Sequence, residues 1–257
     1  MASNDSIKKT LTVAITLCVF CSIVVSTAAV LLRPMQDANK ELDFKRNILS
    51  AAHLLEEGKS VDELFSKIET RIVDLRTGKF SDEVSVESYD QRKAMKDPAQ
   101  SEKLSPDVDI AGLSRIEHFA KVYLVKDSQG LDKIVLPIRG YGLWSTLYGF
   151  IALEADLNTV VGLGYYEHGE TPGLGGEVDN PKWKSIWPGK KVYGNDGDVQ
   201  LAVVKGAVDP QANGAEYKVD GLSGATLTSD GVTNMIQFWL SENGYAEFLA
   251  NLQKGEA

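Results

Sequence analysis

Residues 220–232, DGLSGATLTSDGV, crowd hydroxyls and small side chains around Thr226, directly before an apolar helical pattern. Thr228 or Ser229, followed by Asp230, is an acceptable N-cap for that helix, which accounts for one hydroxyl. It does not account for Gly221, Gly224 and Ala225, which strip bulk from the approach to Thr226 at a cost in chain entropy. Such a cost is justified where a ligand must approach the backbone. A phosphate fits: the free N–H groups and positive dipole end of a helix starting near Thr228 favour an anion by about 0.3 to 1 kcal/mol per exposed interaction.

A second stretch, EHGETPGLGGEV over residues 167–178, is rich in turn formers, with Pro172-Gly173 suited to a β-turn and Gly175-Gly176 adding freedom. It is no Walker loop, since no Gly-Lys-Ser/Thr follows, and it lacks the GxGxxG spacing of a dinucleotide site. His168 and Glu170, at i and i+2, make a poor metal pair, and His53 and His118 are isolated. No Ser-His-Asp or paired-carboxylate arrangement emerges from the spacing, so hydrolysis has no support.

The scaffold for these residues is read from five short stretches rich in β-branched and aromatic residues: 121–125, 133–139, 147–154, 160–166 and 199–205. Turns such as KDSQG and EADLNT separate them, and connections this short make hairpins, which predicts an antiparallel sheet. Val232, Ile236, Trp239 and Leu240 recur at helical spacing, and residues 245–252 predict a closing helix. The expected class is α+β: an N-terminal transmembrane helix, then a soluble domain with an antiparallel sheet and flanking helices. The expected organisation is a tail over 1–10, the span over 11–32, a juxtamembrane helix and irregular acidic region over 33–118, and the sheet domain over 119–257. Within the third segment a helix is predicted from Pro34 to about Lys59, and loops with short elements over 81–107.

Residues 11–32 carry no charge, and at about 1.5 Å per residue a helix there crosses a hydrocarbon core of roughly 30 Å. A cleaved signal peptide is the rival, with Lys8 and Lys9 in front and Ser26-Thr27-Ala28 as a small-residue site. The apolar run continuing to Leu32 favours an uncleaved anchor. Nearby positive charges lie on both sides of the span and assign no orientation. Both cysteines, Cys18 and Cys21, fall inside it, so the rest of the chain has no thiol for a disulfide, zinc or an iron-sulfur cluster. The formal net charge is −9 at pH 7; Asp5, Lys8 and Lys9 contribute +1 before Arg33, leaving −10 beyond it, which argues against nucleic acid as a partner.

The hexad Ser223-Gly224-Ala225-Thr226-Leu227-Thr228 resembles the motif of FMN-binding domains whose flavin is attached through its phosphate to the second hydroxyl residue, here Thr226. Residues 167–178 resemble the same domains' loop at the flavin ring. With the anchor, GLWSTLYGF over 142–150 and the long segment before the sheet, the chain is similar to the C subunits of sodium-translocating NADH:quinone reductases. G subunits of Rnf-type complexes share motif and anchor and usually lack that long segment. The resemblance implies covalent FMN, installed by a flavin transferase with FAD as donor. It also implies a carrier of electrons that binds neither NADH nor quinone, working among other subunits between a membrane iron-sulfur donor and a membrane FMN acceptor. The implied location is the bacterial inner membrane, with a single span and the domain in the periplasm. It makes Glu170, Thr171, Leu174 and Gly175 candidates for the ring. Leu143 and Trp144 would cover a ring face, and Lys205 would neutralise phosphate or reduced flavin, although Trp in a sheet is commonly core and Lys on a strand commonly exposed. The alternative from another class is a non-catalytic anchored envelope protein that binds a partner or lipid, with 223–228 only a capped helix start.

Overall fold

The computed structural model describes residues 6–128 and 130–257. It divides into two units, one ending at Phe44 and the other Lys45–Ala257. Helix α1 (Ile7–Ala51) contains the apolar run, whose side chains are exposed, and is the one helix among the described residues long and apolar enough to cross a membrane. The helix expected from Pro34 to about Lys59 is present as far as Ala51, but it continues the span instead of starting anew. Pro34 lies inside α1, because a proline forfeits one N–H and crowds one carbonyl, a local cost that helical residues on both sides outweigh. The helix also stops short of Lys59: His53 turns left-handed at φ +55° and Leu54 N–H donates to the Leu49 carbonyl at 2.8 Å.

The second unit contains, in order, α2 (Val61–Phe65), β1 (Ile68–Asp74), β2 (Lys79–Phe80), α3 (Gln91–Ala94), β3 (Ser101–Lys103) and β4 (Arg115–Glu117). There follow β5 (Phe119–Asp127), β6 (Gly130–Tyr141), β7 (Thr146–Glu154), β8 (Val160–Glu167) and α4 (Pro181–Lys184). The chain closes with β9 (Ala202–Val203), β10 (Lys218–Val219), α5 (Thr226–Leu240) and α6 (Ala246–Lys254). Six strands form one antiparallel sheet in the order β2-β1-β5-β6-β7-β8. The four expected strands between residues 121 and 166 are β5 to β8. Strand β1 was not foreseen; it pairs along its whole length with β5, from Ile68↔Val125 to Asp74↔Phe119. The strand expected over 199–205 shrinks to β9, which pairs in parallel with β10 outside the sheet. There Val204 N–H donates to the Val219 carbonyl and Gly221 N–H to the Gly206 carbonyl, so the backbone turns away after Val203.

One face of the sheet is closed by α5 and α6. Val232, Met235, Ile236, Trp239 and Leu240 bury the apolar stripe of α5 with Leu136, Ile138, Leu147 and Ile151, each such side chain contributing about 1.5 to 3 kcal/mol. Two glycines let α5 lie close on β6: a Cβ at Gly140 would stand 2.6 Å from Met235 Cβ, and one at Gly231 would stand 2.4 Å from the Tyr141 carbonyl oxygen. The far end of α5 is pinned by Trp239 Nε1 donating to the Arg139 carbonyl at 2.7 Å. The first turn of α5 is thereby held beside the β6–β7 hairpin, whose four-residue loop 142–145 is closed by Gly142 N–H donating to the Ser145 carbonyl.

Candidate functional site

Thr226 is the first residue of α5 and its side chain is exposed. The helix begins two residues before the expected start, so neither Thr228 nor Ser229 is its N-cap. Ala225 holds that position without a side-chain bond to the helix. The first backbone bond is Ser229 N–H to the Ala225 carbonyl at 3.0 Å, and among the described residues nothing accepts from the amides of Thr226, Leu227 or Thr228. Gly224, at φ +73°, supplies the left-handed turn that swings the chain into the helix. Ser229 closes this turn from inside: its hydroxyl accepts from Leu222 N–H and donates to the Ala225 carbonyl, both at 3.1 Å. Open N–H groups at a helix start, beside an exposed hydroxyl and away from side-chain bulk, fit a phosphate held on Thr226.

Glu170 joins three segments. One carboxylate oxygen accepts from the backbone N–H groups of Leu143 (3.1 Å), Trp144 (2.9 Å) and Ser145 (3.2 Å). The other accepts from Thr228 Oγ1 at 2.7 Å, and Thr228 is fully buried. Side chains are missing where this arrangement needs the space: a Cβ at Gly142 would stand 2.7 Å from Glu170 Oε1, and one at Gly175 would stand 2.5 Å from Thr228 Oγ1. Burial opposes ionisation of Glu170, but the bonds from Trp144, Thr228, Ser145 and Leu143 outweigh it and hold the carboxyl below its ordinary value. Among the described residues Glu170 has no ion pair, so dipoles alone solvate its charge. The loop has a second brace. Gly169 N–H donates to Ser145 Oγ at 2.6 Å, and Glu170 N–H donates to His168 Nδ1 at 3.2 Å. His168 Nε2 in turn faces Asp179 Oδ2 at 2.8 Å, which assigns the ring proton to Nε2.

The candidate residues therefore divide by role. Glu170, Gly175 and Thr228 face inward and support the loops. Ala225 is buried under the turn, Ser223 and Thr171 are exposed, and Thr171 offers its carbonyl to Leu174 and Gly176 N–H. Leu143, Trp144, Leu174 and Leu227 are exposed apolar side chains, Trp144 by 67% and Leu227 by 59%. Leu174 reaches the motif itself, since a Cβ at Gly224 would be 3.1 Å from Leu174 Cδ2. Among the described residues of Lys45–Ala257 the exposed large apolar side chains are Leu55, Ile110, Tyr141 and these four, so most of them border one network. Water-facing apolar surface concentrated in this way suits a flat aromatic ligand. Trp144 is not in the core, because the hairpin loop carries it outward. Lys205 is exposed in the loop after β9 rather than on a strand. Ser145 has no signal in the sequence, while Ser229 reads there only as a possible helix cap and His168 only as half of a poor metal pair, because their bracing roles depend on partners distant along the chain.

Comparison with known proteins places this geometry. Residues 142–241 match the FMN-binding domain family, a range that begins at the hairpin loop and ends after α5. The chain is 54% identical over 261 residues to the C subunit of the Na(+)-translocating NADH-quinone reductase of Pseudomonas aeruginosa, spanning 100% of both chains. It is 52% identical to the C subunit of the Vibrio alginolyticus reductase, over 99% of this chain and 98% of the other. Among solved structures, that of Shewanella oneidensis NqrC is similar with a TM-score of 0.77 and 36% identity, covering 84% of this chain and 99% of that one. The corresponding protein of Parabacteroides distasonis follows at 0.64 and 28% identity, covering 85% of this chain and 96% of that one. The two sequence likenesses cover residues 33–118 as well as the sheet domain. The chain belongs to the NqrC family, the C subunits of the Na(+)-translocating NADH-quinone reductases.

Proposed function

We propose that this chain works in such a reductase as a one-cofactor electron carrier whose FMN is bound covalently through its phosphate to Thr226. The observation that carries this reading is the place of the hydroxyls around the start of α5, where Ser223 is exposed but lies before the turn. Thr228 and Ser229 are buried and bonded within the chain, whereas Thr226 is exposed at the first helical residue beside unpartnered amides. FMN, when bound, supplies reversible electron transfer. The chain's own residues do the rest: Thr226 holds the phosphate, the α5 amides face its charge, and Leu143, Trp144, Leu174 and Leu227 offer apolar cover that excludes water. Lys205 lies outside the Glu170 network and is assigned at most a long-range charge effect.

Attachment forms a bond from Thr226 Oγ to the flavin-side phosphorus of FAD and breaks the pyrophosphate link. AMP leaves and the hydroxyl proton is released; a flavin transferase performs this step. The family resemblance supports the remaining assignments: residues 11–32 anchor the chain in the bacterial inner membrane, the domain lies in the periplasm, and electrons arrive from a membrane iron-sulfur centre and leave to a membrane FMN. The test is the intact mass of the denatured chain after co-expression with a flavin transferase, beside a Thr226→Ala control. A gain of FMN less one water, absent from the control, is the expected result. An unmodified mass in both would overturn the covalent link.

A further inference from the structure

We infer that Glu170 is a positioning residue of the flavin site: its carboxylate locks the hairpin loop 142–145 and the loop 168–175 to the first turn of α5, so that the apolar cover and the threonine that bears the flavin move as one body. This rests on the Thr226 reading above. The carboxylate is one of seven buried polar or charged side chains among the described residues, and each of its partners there belongs to the segments that border Thr226. Among those residues Leu143 and Trp144 hold no other bond that would orient their amides; the loop's remaining ties are Gly142 N–H to the Ser145 carbonyl and Ser145 Oγ to Gly169 N–H. The link to the helix runs through one hydroxyl, Thr228 Oγ1, two residues after Thr226. Glycine at 142 and at 175 leaves the carboxylate room to reach all four donors. Its oxygens are thus consumed by the protein, and Glu170 acts on the cofactor through Leu143, Trp144, Leu174 and the α5 turn instead of by side-chain contact.

The test uses the full chain in detergent and separates loop from cofactor. In a Thr226→Ala background, hydrogen exchange is followed at the amides of residues 143–145 with Glu170, Glu170→Ala and Glu170→Gln. Glu170→Ala is expected to speed exchange there by at least about tenfold, as for the loss of charge-assisted bonds, while amides of β7 keep their rates. Glu170→Gln, whose amide oxygen can keep the three N–H bonds while its NH2 group donates to Thr228, is expected to stay within about threefold. Exchange in Glu170→Ala at the parent rate would overturn the proposal. With Thr226 restored and FMN attached, the visible absorption of the flavin should shift toward that of free FMN in Glu170→Ala and return in Glu170→Gln. Should Glu170→Ala fail to fold, Thr228→Val cuts only the tether to α5, and an unchanged flavin spectrum in that variant would overturn the inference. An unmodified wild-type mass removes the flavin reading and this role together, whereas a modified mass with parent exchange in Glu170→Ala removes the role alone.

Discussion

Two buried glutamates organise two parts of the domain, and they are stabilised by opposite means. Glu117, in β4, is buried to 1% exposure and pairs with Arg139 Nη2 at 2.6 Å while accepting from Gln91 Nε2 at 2.8 Å. Glu170 is buried to 5% and meets no cation among the described residues; three backbone N–H groups and a hydroxyl surround it. The first arrangement ties β4 to β6 through a charge pair that is costly to break, and α3, from the segment 81–107, hangs on the same carboxylate through the Gln91 amide. The second arranges loops around a fixed negative charge held by dipoles with no counter-ion among the described residues. The segment 81–107 thus acts as a brace. Gln91 also accepts from Lys121 N–H, and Arg92 lies 3.5 Å over the Tyr148 ring and pairs with Glu167 at the end of β8.

The contrast is sharpest under mutation. Arg139→Met leaves Glu117 charged and buried and is expected to cost about 3 to 5 kcal/mol in denaturant unfolding, with Glu117→Gln/Arg139→Met recovering most of it. A loss under about 1 kcal/mol for the single variant would erase the distinction between the two sites. Glu170→Ala removes four bonds to one charged acceptor near the surface, where water partly replaces it, and about 1.5 to 3 kcal/mol is expected from the same measurement. Thr228→Val keeps the volume and removes one of those bonds, at about 1 kcal/mol.

Acid distinguishes the dipole-held carboxylate from its neutral isostere. The folded value of Glu170 lies below its ordinary one, so its contribution is complete above about pH 4.3 and fades as pH falls through the folded value. The stability difference between the parent chain and Glu170→Gln should therefore be constant near neutrality and shrink in acid; a difference that grows below about pH 4 would reverse the assigned sign. Asp156, held at about 2 against burial by Thr159, Asn158 and Lys191, follows the same sign in the chain linking β7 to β8. The smallest effect is that of Thr226→Ala, within about 0.5 kcal/mol because the side chain is exposed, although the same change is expected to abolish flavin attachment entirely.

Local pattern alone revealed the apolar span, the hairpin-linked strands β5 to β8, the amphipathic α5 and the threonine motif, since each is written in residues adjacent along the chain. The start of α5 was two residues off, because Thr228 has the chemistry of a cap and its hydroxyl was claimed by a carboxylate 58 positions away. Strand β1 escaped notice for a related reason: IETRIVD takes its place only by pairing with β5 some fifty residues later in the sequence. Likewise, Pro34 reads as a boundary until both flanks are seen to be helical. The sequence by itself determined which residues had the chemistry for a phosphate, while the candidates for a flat ring came from the family resemblance. Only the tertiary structure decided which hydroxyls of the motif were buried and bonded, which glutamate turned inward and which apolar side chains stayed in water, because those outcomes depend on partners brought together by folding.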